Sequence, residues 1–244
     1  MPEQASSYDT KHAKTIDQLI AHIQKRKDFL GANWVTDDTE DETEADGSRK
    51  PGVDKDSVRF LDYACGTGLV TRALAPYTTQ CVGIDISENM VASYNARAEN
   101  QGLSKDEMYA YQGNLLDKEH PNPAPLSDAN FFNFDVAGVG LGAHHFEDPD
   151  FAARQIAARL RPGGVFFIID FLPHAAADGH QHKSVHTVTH HGFSEERVRE
   201  MFTKAGVGKG FALEELGNGV VFTSMGKNGQ DMKRKVFIAR GEKA

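Results

Sequence analysis

The rhythm of hydrophobic and polar positions changes at Val58. Before it, Ile16, Leu19, Ile20 and Ile23 fall at i, i+3, i+4 and i+7, which predicts one amphipathic helix. That helix leads into Phe29-Leu30-Gly31-Ala32-Asn33-Trp34. Residues 36–57 carry no apolar periodicity. From Val58 onward, short apolar runs alternate with helical spacing. The pattern predicts strands at Val58–Tyr63, Gln80–Asp85, Met108–Gln112, Phe132–Gly140 and Val165–Asp170. Between them it predicts helices at Leu69–Ala75, Glu88–Asn100 (capped by Ser87) and Pro149–Leu160, the last stopped by Arg161-Pro162-Gly163-Gly164. A helix capped by Ser194 follows, with Val198, Met201, Phe202 and Ala205 on one face. The tail reads as strands at Phe211–Leu216, Val220–Ser224 and Lys235–Arg240. Alternation of strand and helix predicts an α/β fold, a doubly wound (Rossmann-like) and mostly parallel sheet. The consecutive strands at the end predict an antiparallel addition.

Composition narrows the setting. The chain has 244 residues, 39% hydrophobic and 25% charged, enough for one α/β domain with a full core. No apolar run reaches membrane-spanning length and no signal-peptide pattern opens the chain, so a cytoplasmic protein without a membrane span is expected. Cys65 and Cys81 both fall in predicted core elements, which fits a reducing compartment. The formal net charge of −8 is uneven: residues 36–57 hold nine acids against three bases, a net of −6. This segment is expected to be a solvated, flexible loop. It divides the chain into an N-terminal helical cap (1–35), the acidic loop (36–57) and the main domain (58–244). Lys233-Arg234-Lys235 is a short basic run rather than a stripe, so no nucleic-acid partner is expected.

The chemistry concentrates where the first strand meets its helix. Asp62 precedes a small-residue turn, Ala64-Cys65-Gly66-Thr67-Gly68. Such a turn lets a ligand approach the backbone, and a helix N-terminus offers free N–H groups. A dinucleotide fingerprint would place a third glycine at position 71, where this chain has Thr71. Asp62 would repel a pyrophosphate and suits a cationic ligand. Asp85 ends the second strand, seventeen residues after Gly68. Adjacent strand ends line the ligand crevice of a doubly wound sheet, so Asp85 can accept both hydroxyls of a ribose. Its alternative role is to cap the next helix, which Ser87 can do instead.

At these residues the chain resembles the class I S-adenosylmethionine (SAM)-dependent methyltransferases. Five segments, in order, carry the resemblance across Val58 to Ala205. Leu61–Gly68 is similar to the first motif and Gly83-Ile84-Asp85-Ile86-Ser87-Glu88-Asn89-Met90 to the second. Gln112-Gly113-Asn114-Leu115-Leu116-Asp117 is similar to the third, with Asn114 in place of the usual acid beside the adenine. Phe134-Asp135-Val136 through His144-His145-Phe146 resembles the fourth strand and its exit loop, and Leu160–Gly164 the turn before the fifth. The small-molecule, ubiquinone-biosynthesis-like branch is the nearest in flavour, in an uncharacterised fungal-type subgroup. The resemblance implies a seven-stranded sheet with an antiparallel C-terminal strand, an N-terminal helical extension and SAM as cofactor. By its motifs, Asp62, Ala64, Gly66, Gly68, Asp85, Ile86, Met90, Asn114, Leu115 and Gly140 would contact that cofactor. Two positions depart from the pattern: Ala64 replaces a usual glycine, and Gly140 leaves only backbone where a side chain often makes contact.

A methyl donor supplies its own electrophile, so the protein has to align an acceptor and exclude water. A general base helps when the acceptor is a hydroxyl or an ammonium. Eight of the eleven histidines lie between residues 144 and 191. His144 and His174 follow strands four and five and are the candidates for base or acceptor-orienting group. Tyr8, Trp34 and His145, with His12, are candidates for acceptor contact, although Tyr8 and Trp34 could equally pack the first helix. His180, His182, His186, His190 and His191 could ligate zinc. Their segment lacks cysteine and holds one carboxylate, Asp178, so a lid-like loop is the better reading and no metal is expected. The leading expectation is methyl transfer to a small molecule. The alternatives are a SAM-binding scaffold without transfer activity, SAM-dependent non-methyl chemistry and a nicotinamide dehydrogenase. Oligomeric state is not legible in the chain.

Overall fold

In a computed structural model, the described residues are 3–35, 57–174, 188–223 and 230–244; the side chains of residues 3–8 and 11 are outside the description. The acidic segment 36–56, His180, His182, His186 and the Tyr8 side chain therefore lie outside the described residues.

Seven strands form the main sheet. They are β1 (Arg59–Tyr63), β2 (Gln80–Asp85), β3 (Met108–Gln112), β4 (Phe134–Gly140), β5 (Leu160–Phe171), β6 (Lys209–Glu215) and, last in the chain, β9 (Val236–Glu242). The order is β3-β2-β1-β4-β5-β9-β6, with β9 antiparallel to both its neighbours and the pairs from β3 to β5 parallel. This is the seven-stranded sheet expected from the resemblance. The chain reverses its winding between β1 and β4. In such sheets that switch point opens a crevice outside the strand C-termini.

The helices are α1 (Glu3–Gln24), α2 (Lys27–Leu30), α3 (Leu69–Leu74), α4 (Glu88–Asn100), α5 (Pro149–Ala157) and α6 (Glu195–Lys204). The starts of α4, α5 and α6 are set by capping side chains. Ser87 Oγ accepts from Met90 N at 3.4 Å, Asp148 from Phe151 N at 2.9 Å and Ser194 from Arg197 N at 3.3 Å. The run of buried residues along β5 serves two cores, because successive side chains point to opposite faces. Phe166 packs with Phe202 and the α5–α6 layer on one face. Phe167 stacks on Phe60 at 5.9 Å in the other, which also receives Leu19 and Ile23 of α1 and Tyr94 of α4. Of the predicted α1 stripe, Ile16, Leu19 and Ile23 are buried and Ile20 is half-buried.

Element ends shift by one to three residues from expectation, α5 for example stopping at Ala157, and two features differ by more. The Arg161–Gly164 turn is part of β5, whose Leu160 already pairs with Phe134; the register then shifts, and Gly163 takes φ +73°. A bulge absorbs these residues, with Arg161 Nε donating to Asp135 Oδ1 at 2.6 Å. Near the C-terminus, β7 (Val220–Phe222) does not join the main sheet. It pairs with β8 (Met232–Arg234), a three-residue strand too short for a periodicity signal. This hairpin docks on α1: Thr15 Oγ1 donates to Val221 O at 2.9 Å, and Val221 N donates to Gln18 Oε1 at 3.0 Å. Among the described residues no helix is long and apolar enough to cross a membrane.

Candidate active site

A cavity of about 1210 Å³ occupies the crevice at the strand C-termini. A site for one drug-sized ligand spans roughly 300–1,000 Å³, so this one has room for two ligands. The segments after β1, β2 and β3 line one end. The segments after β4 and β5 and the β7–β8 hairpin line the other, and α1 reaches from the Thr67 turn to the hairpin.

The first end is built on the glycine turn. Gly66 has φ +53° and nothing within 4 Å of where a Cβ would sit, so its backbone faces open space. Its N–H donates to Asp85 Oδ2 at 2.8 Å, while Ser87 N donates to Asp85 Oδ1 at 2.8 Å. Asp85 is buried at the cavity edge with both oxygens held, and an ionised carboxylate still has lone pairs for hydroxyl donors. Next to it, Ile86 is 69% exposed and lines the cavity with Met90. An exposed branched side chain beside a polar anchor suits one face of an aromatic ring. Opposite, Asn114 Oδ1 accepts from Leu116 N at 2.9 Å, and the Tyr63 hydroxyl bridges Asn114 Oδ1 and Leu115 N. Ala64 and Gly140 complete this wall. Gly140 tolerates no side chain, because a Cβ there would lie 2.2 Å from Val70 Cγ2 of α3. Ala64 sits at φ +55°, the left-handed region its usual glycine would occupy without strain.

Three of the residues named from the motifs do not line the cavity. Asp62 is buried beneath the turn, where its Oδ2 accepts from Thr71 N at 3.1 Å and Thr71 Oγ1 at 2.7 Å. It ties β1 to the first turn of α3. Burial pushes its carboxyl up to about 7; the Thr71 hydrogen bonds oppose that shift and the charge of Asp85 adds to it. Gly68 serves packing: at φ +90° it leaves room for the Tyr94 ring, which a Cβ would meet at 3.0 Å. Leu115 is a core side chain whose N–H is taken by Tyr63, and Leu116 lines the cavity instead. Trp34 also lies away from the cavity, its Nε1 donating to Lys27 O at 2.8 Å and its ring edge-on to Tyr77.

The other end carries the histidines. His144 is buried, and its Nδ1 lies 2.8 Å from Asp170 Oδ1. A carboxylate oxygen accepts, so this contact places a proton on Nδ1; in the neutral imidazole the lone pair is then on Nε2. Asp170, the penultimate residue of β5, is fully buried and receives two backbone donors as well, His144 N at 3.1 Å and Phe171 N at 2.7 Å. The imidazole is thus fixed in tautomer and orientation. His145 stacks on His144, with ring centroids 4.1 Å apart, and lines the cavity beside it. His174 also lines it, edge-on to Phe171, with its backbone N donating to His191 O. The segment from 188 closes over this side: Thr189 and His190 donate to His144 O, and His190 Nε2 donates to Phe146 O at 3.0 Å. Among the described residues no group of three or more histidine, cysteine or acidic side chains is placed to hold a metal ion.

Sequence reasoning did not single out Asp170. Its signal was present: an acid closing a continuous apolar strand is costly unless it is bonded. It also missed Asp9, which joins α1 to the glycine turn. Asp9 accepts from Thr67 Oγ1 at 2.7 Å and pairs with Arg97, which in turn donates to Thr67 O. Together with His12, Thr15, Ile16 and Leu19, these contacts make α1 a wall of the cavity.

A family model described as a methyltransferase domain matches residues 61–168. An uncharacterized methyltransferase of Schizosaccharomyces pombe is 29% identical over 156 residues, 62% of this chain and 54% of that protein. A ubiquinone biosynthesis O-methyltransferase of Parvibaculum lavamentivorans is 30% identical over 113 residues, 46% of this chain and 40% of its own length. This chain thus spans about half or less of either relative. The crystal structure of the YcgJ protein from Bacillus subtilis superposes with a TM-score of 0.56 over 77% of this chain and 92% of that one. At 18% identity this likeness shows the fold alone.

Proposed function

From a chain that carries a methyltransferase domain on a class I sheet, we propose that this protein transfers a methyl group from SAM to a small-molecule acceptor. The observation that carries the cofactor assignment is Asp85, held by Gly66 N–H and Ser87 N–H at the edge of the crevice, with exposed Ile86 beside it. These residues fit SAM. Asp85 would take the ribose hydroxyls, Ile86 and Met90 would flank the adenine, and Asn114 would face its edge. The open backbone of Ala64, Gly66 and Gly140 would accommodate the methionine part. Asp62, Gly68 and Leu115 would shape the site from behind.

When bound, SAM would supply an electrophilic methyl group, and S-adenosylhomocysteine would leave once the methyl–sulfur bond is broken. His144 would accept the acceptor hydroxyl's proton at Nε2, and Asp170 would stabilise the imidazolium that forms. His145, His174 and His12 would orient the acceptor. Segment 188–191 and α1 would exclude water. The ubiquinone-biosynthesis relative supports a small acceptor, and Cys65 and Cys81, both buried and free, fit a reducing, cytoplasmic setting. Titration calorimetry tests the cofactor reading: S-adenosylhomocysteine is expected to bind saturably and NAD to give no heat of binding. Binding of NAD without binding of S-adenosylhomocysteine would overturn it.

A further inference from the structure

The β7–β8 hairpin puts one unusual side chain into the acceptor end. We propose that Arg234 is a specificity residue, and that the acceptor is an amphiphile with an apolar body and an anionic oxygen group, carboxylate or phosphate, that Arg234 binds. This rests on the methyl-transfer reading above and specifies its substrate.

Strand alternation sets the geometry. Val220 pairs with Arg234 and Phe222 with Met232, so Phe222, Met232 and Arg234 share the inner face and line the cavity, while Lys233 between them is exposed. Arg234 is half-buried yet makes no hydrogen bond, ion pair or ring contact with any described residue. That sets it apart. Arg26, Arg72, Arg97, Arg161, Arg197, Arg199 and Arg240 are ion-paired. Arg59 and Arg159 bond to carbonyls, and Arg154 lies over the Phe151 ring. The other cation lining the cavity, Lys118, is paired with Asp148 at 3.0 Å. A guanidinium that gives up part of its hydration without a partner is costly, and its five donors match a planar carboxylate or a phosphate.

The surroundings say what the rest of the acceptor is. Ile16 and Leu19 of α1, Leu141, Phe171, Phe222 and Met232 supply apolar lining, and a line of contacts leads from His144 to the ring of Phe171 at 5.0 Å, on to Phe222 at 5.3 Å and to its cross-strand partner Met232, two residues from Arg234. An apolar body would lie along that lining, with its hydroxyl at His144 and its anionic group at Arg234. The carboxylates of the lining, Asp85, Asp117, Glu119, Glu147 and Asp148, follow β2, β3 and β4 and none pairs with Arg234.

The test is calorimetry on the full chain saturated with S-adenosylhomocysteine, using octanoate, octyl phosphate and octan-1-ol as probes of one chain length. At least one anion is expected to bind about tenfold or more tighter than octanol, since a hydrogen bond to a charged group carries at least that much. The tighter anion tells carboxylate from phosphate. Arg234→Gln is expected to abolish the preference and keep its affinity for S-adenosylhomocysteine. Anions that bind no better than octanol in the wild-type protein overturn the proposal, as does a preference that survives in a folded Arg234→Gln. If that variant fails to fold, the wild-type comparison still decides. Failure of the wild-type protein to bind S-adenosylhomocysteine at all would strike the methyl-transfer reading instead.

Discussion

The two ends of the cavity are built by different means. At the cofactor end, two short runs after neighbouring strands do the work: the turn from Ala64 to Gly68, and Asp85 to Ser87, with Gly66 meeting Asp85 across 19 positions. At the acceptor end, the partners span most of the chain. His144 meets Asp170 across 26 positions, and Thr15 of α1 meets Val221 of the hairpin across 206. A local site is fixed by turn chemistry, so it keeps its shape while the rest of the fold varies. A site assembled from α1, two strand exits and a hairpin can change its ligand by changing any one of them. The contrast fits one end binding a constant cofactor and the other a particular acceptor.

The sharpest way to break that division is to disable one end and measure both. His144→Ala is expected to lower the turnover of methyl transfer by roughly 10²–10⁴, the usual contribution of a positioned base, and to leave S-adenosylhomocysteine affinity unchanged. Asp170→Asn is expected to follow it in direction, with the pH profile of turnover altered, because the amide can hold the other tautomer. If His144→Ala loses cofactor affinity as strongly as turnover, the two ends are not separable. If both variants keep full activity, alignment alone suffices and the base assignment fails.

The next effect lies under the cofactor end and is read in stability. Burial raises the Asp62 carboxyl from 3.8 to about 7 in the folded protein. The folded state therefore holds a proton that the unfolded chain has released, so stability falls as pH rises from about 4 to about 7 and is level above that. At 1.36 kcal/mol per unit the loss amounts to about 4 kcal/mol, an upper bound where water can relax around the charge. Asp62→Asn keeps an oxygen for Thr71 and carries no titrating proton. Denaturant midpoints measured across pH 4–8 are expected to be flatter for the variant. Parallel curves would show that Asp62 does not titrate in this range, and a large loss of S-adenosylhomocysteine affinity would return it to the ligand.

The same local-versus-distant contrast explains what could be read from the chain. The sheet was legible because each strand carries its own apolar signal and each turn its own glycines. The place of Asp85, Ile86, Asn114 and Gly140 on the cavity lining was legible because each stands at or just past a strand end. Asp62, Gly68 and Leu115 were placed one layer too far forward: a motif names the residues of a turn, but only packing against Thr71, Tyr94 and Tyr63 decides which face inward. His144 could be picked out as a histidine at a strand exit, whereas its partner Asp170 required knowing that β4 and β5 end side by side. Trp34 read equally as an acceptor contact and as packing for the first helix, and its ring is spent on Tyr77. The β7–β8 hairpin had no signal beyond six residues, and its inward arginine emerges only from the cross-strand register.

The smallest expected effect returns to Asp85, where binding and local structure are entangled. Its two oxygens hold Gly66 N–H and Ser87 N–H, so removing the side chain frees both donors as well as the proposed ribose contact. Asp85→Ala is expected to weaken S-adenosylhomocysteine binding by roughly ten- to a hundredfold, the range for losing a charge-assisted hydrogen bond. Asp85→Asn removes only part of each contribution. It keeps one acceptor oxygen for two backbone donors, so one of them faces an amide N–H and thermal stability should fall part of the way toward the alanine variant, while affinity falls because the amide offers only one oxygen to two hydroxyls. A variant pair that loses stability in parallel with affinity would make Asp85 a brace for the turn. A pair that loses affinity alone would make it the point where the constant end of the cavity recognises its ligand.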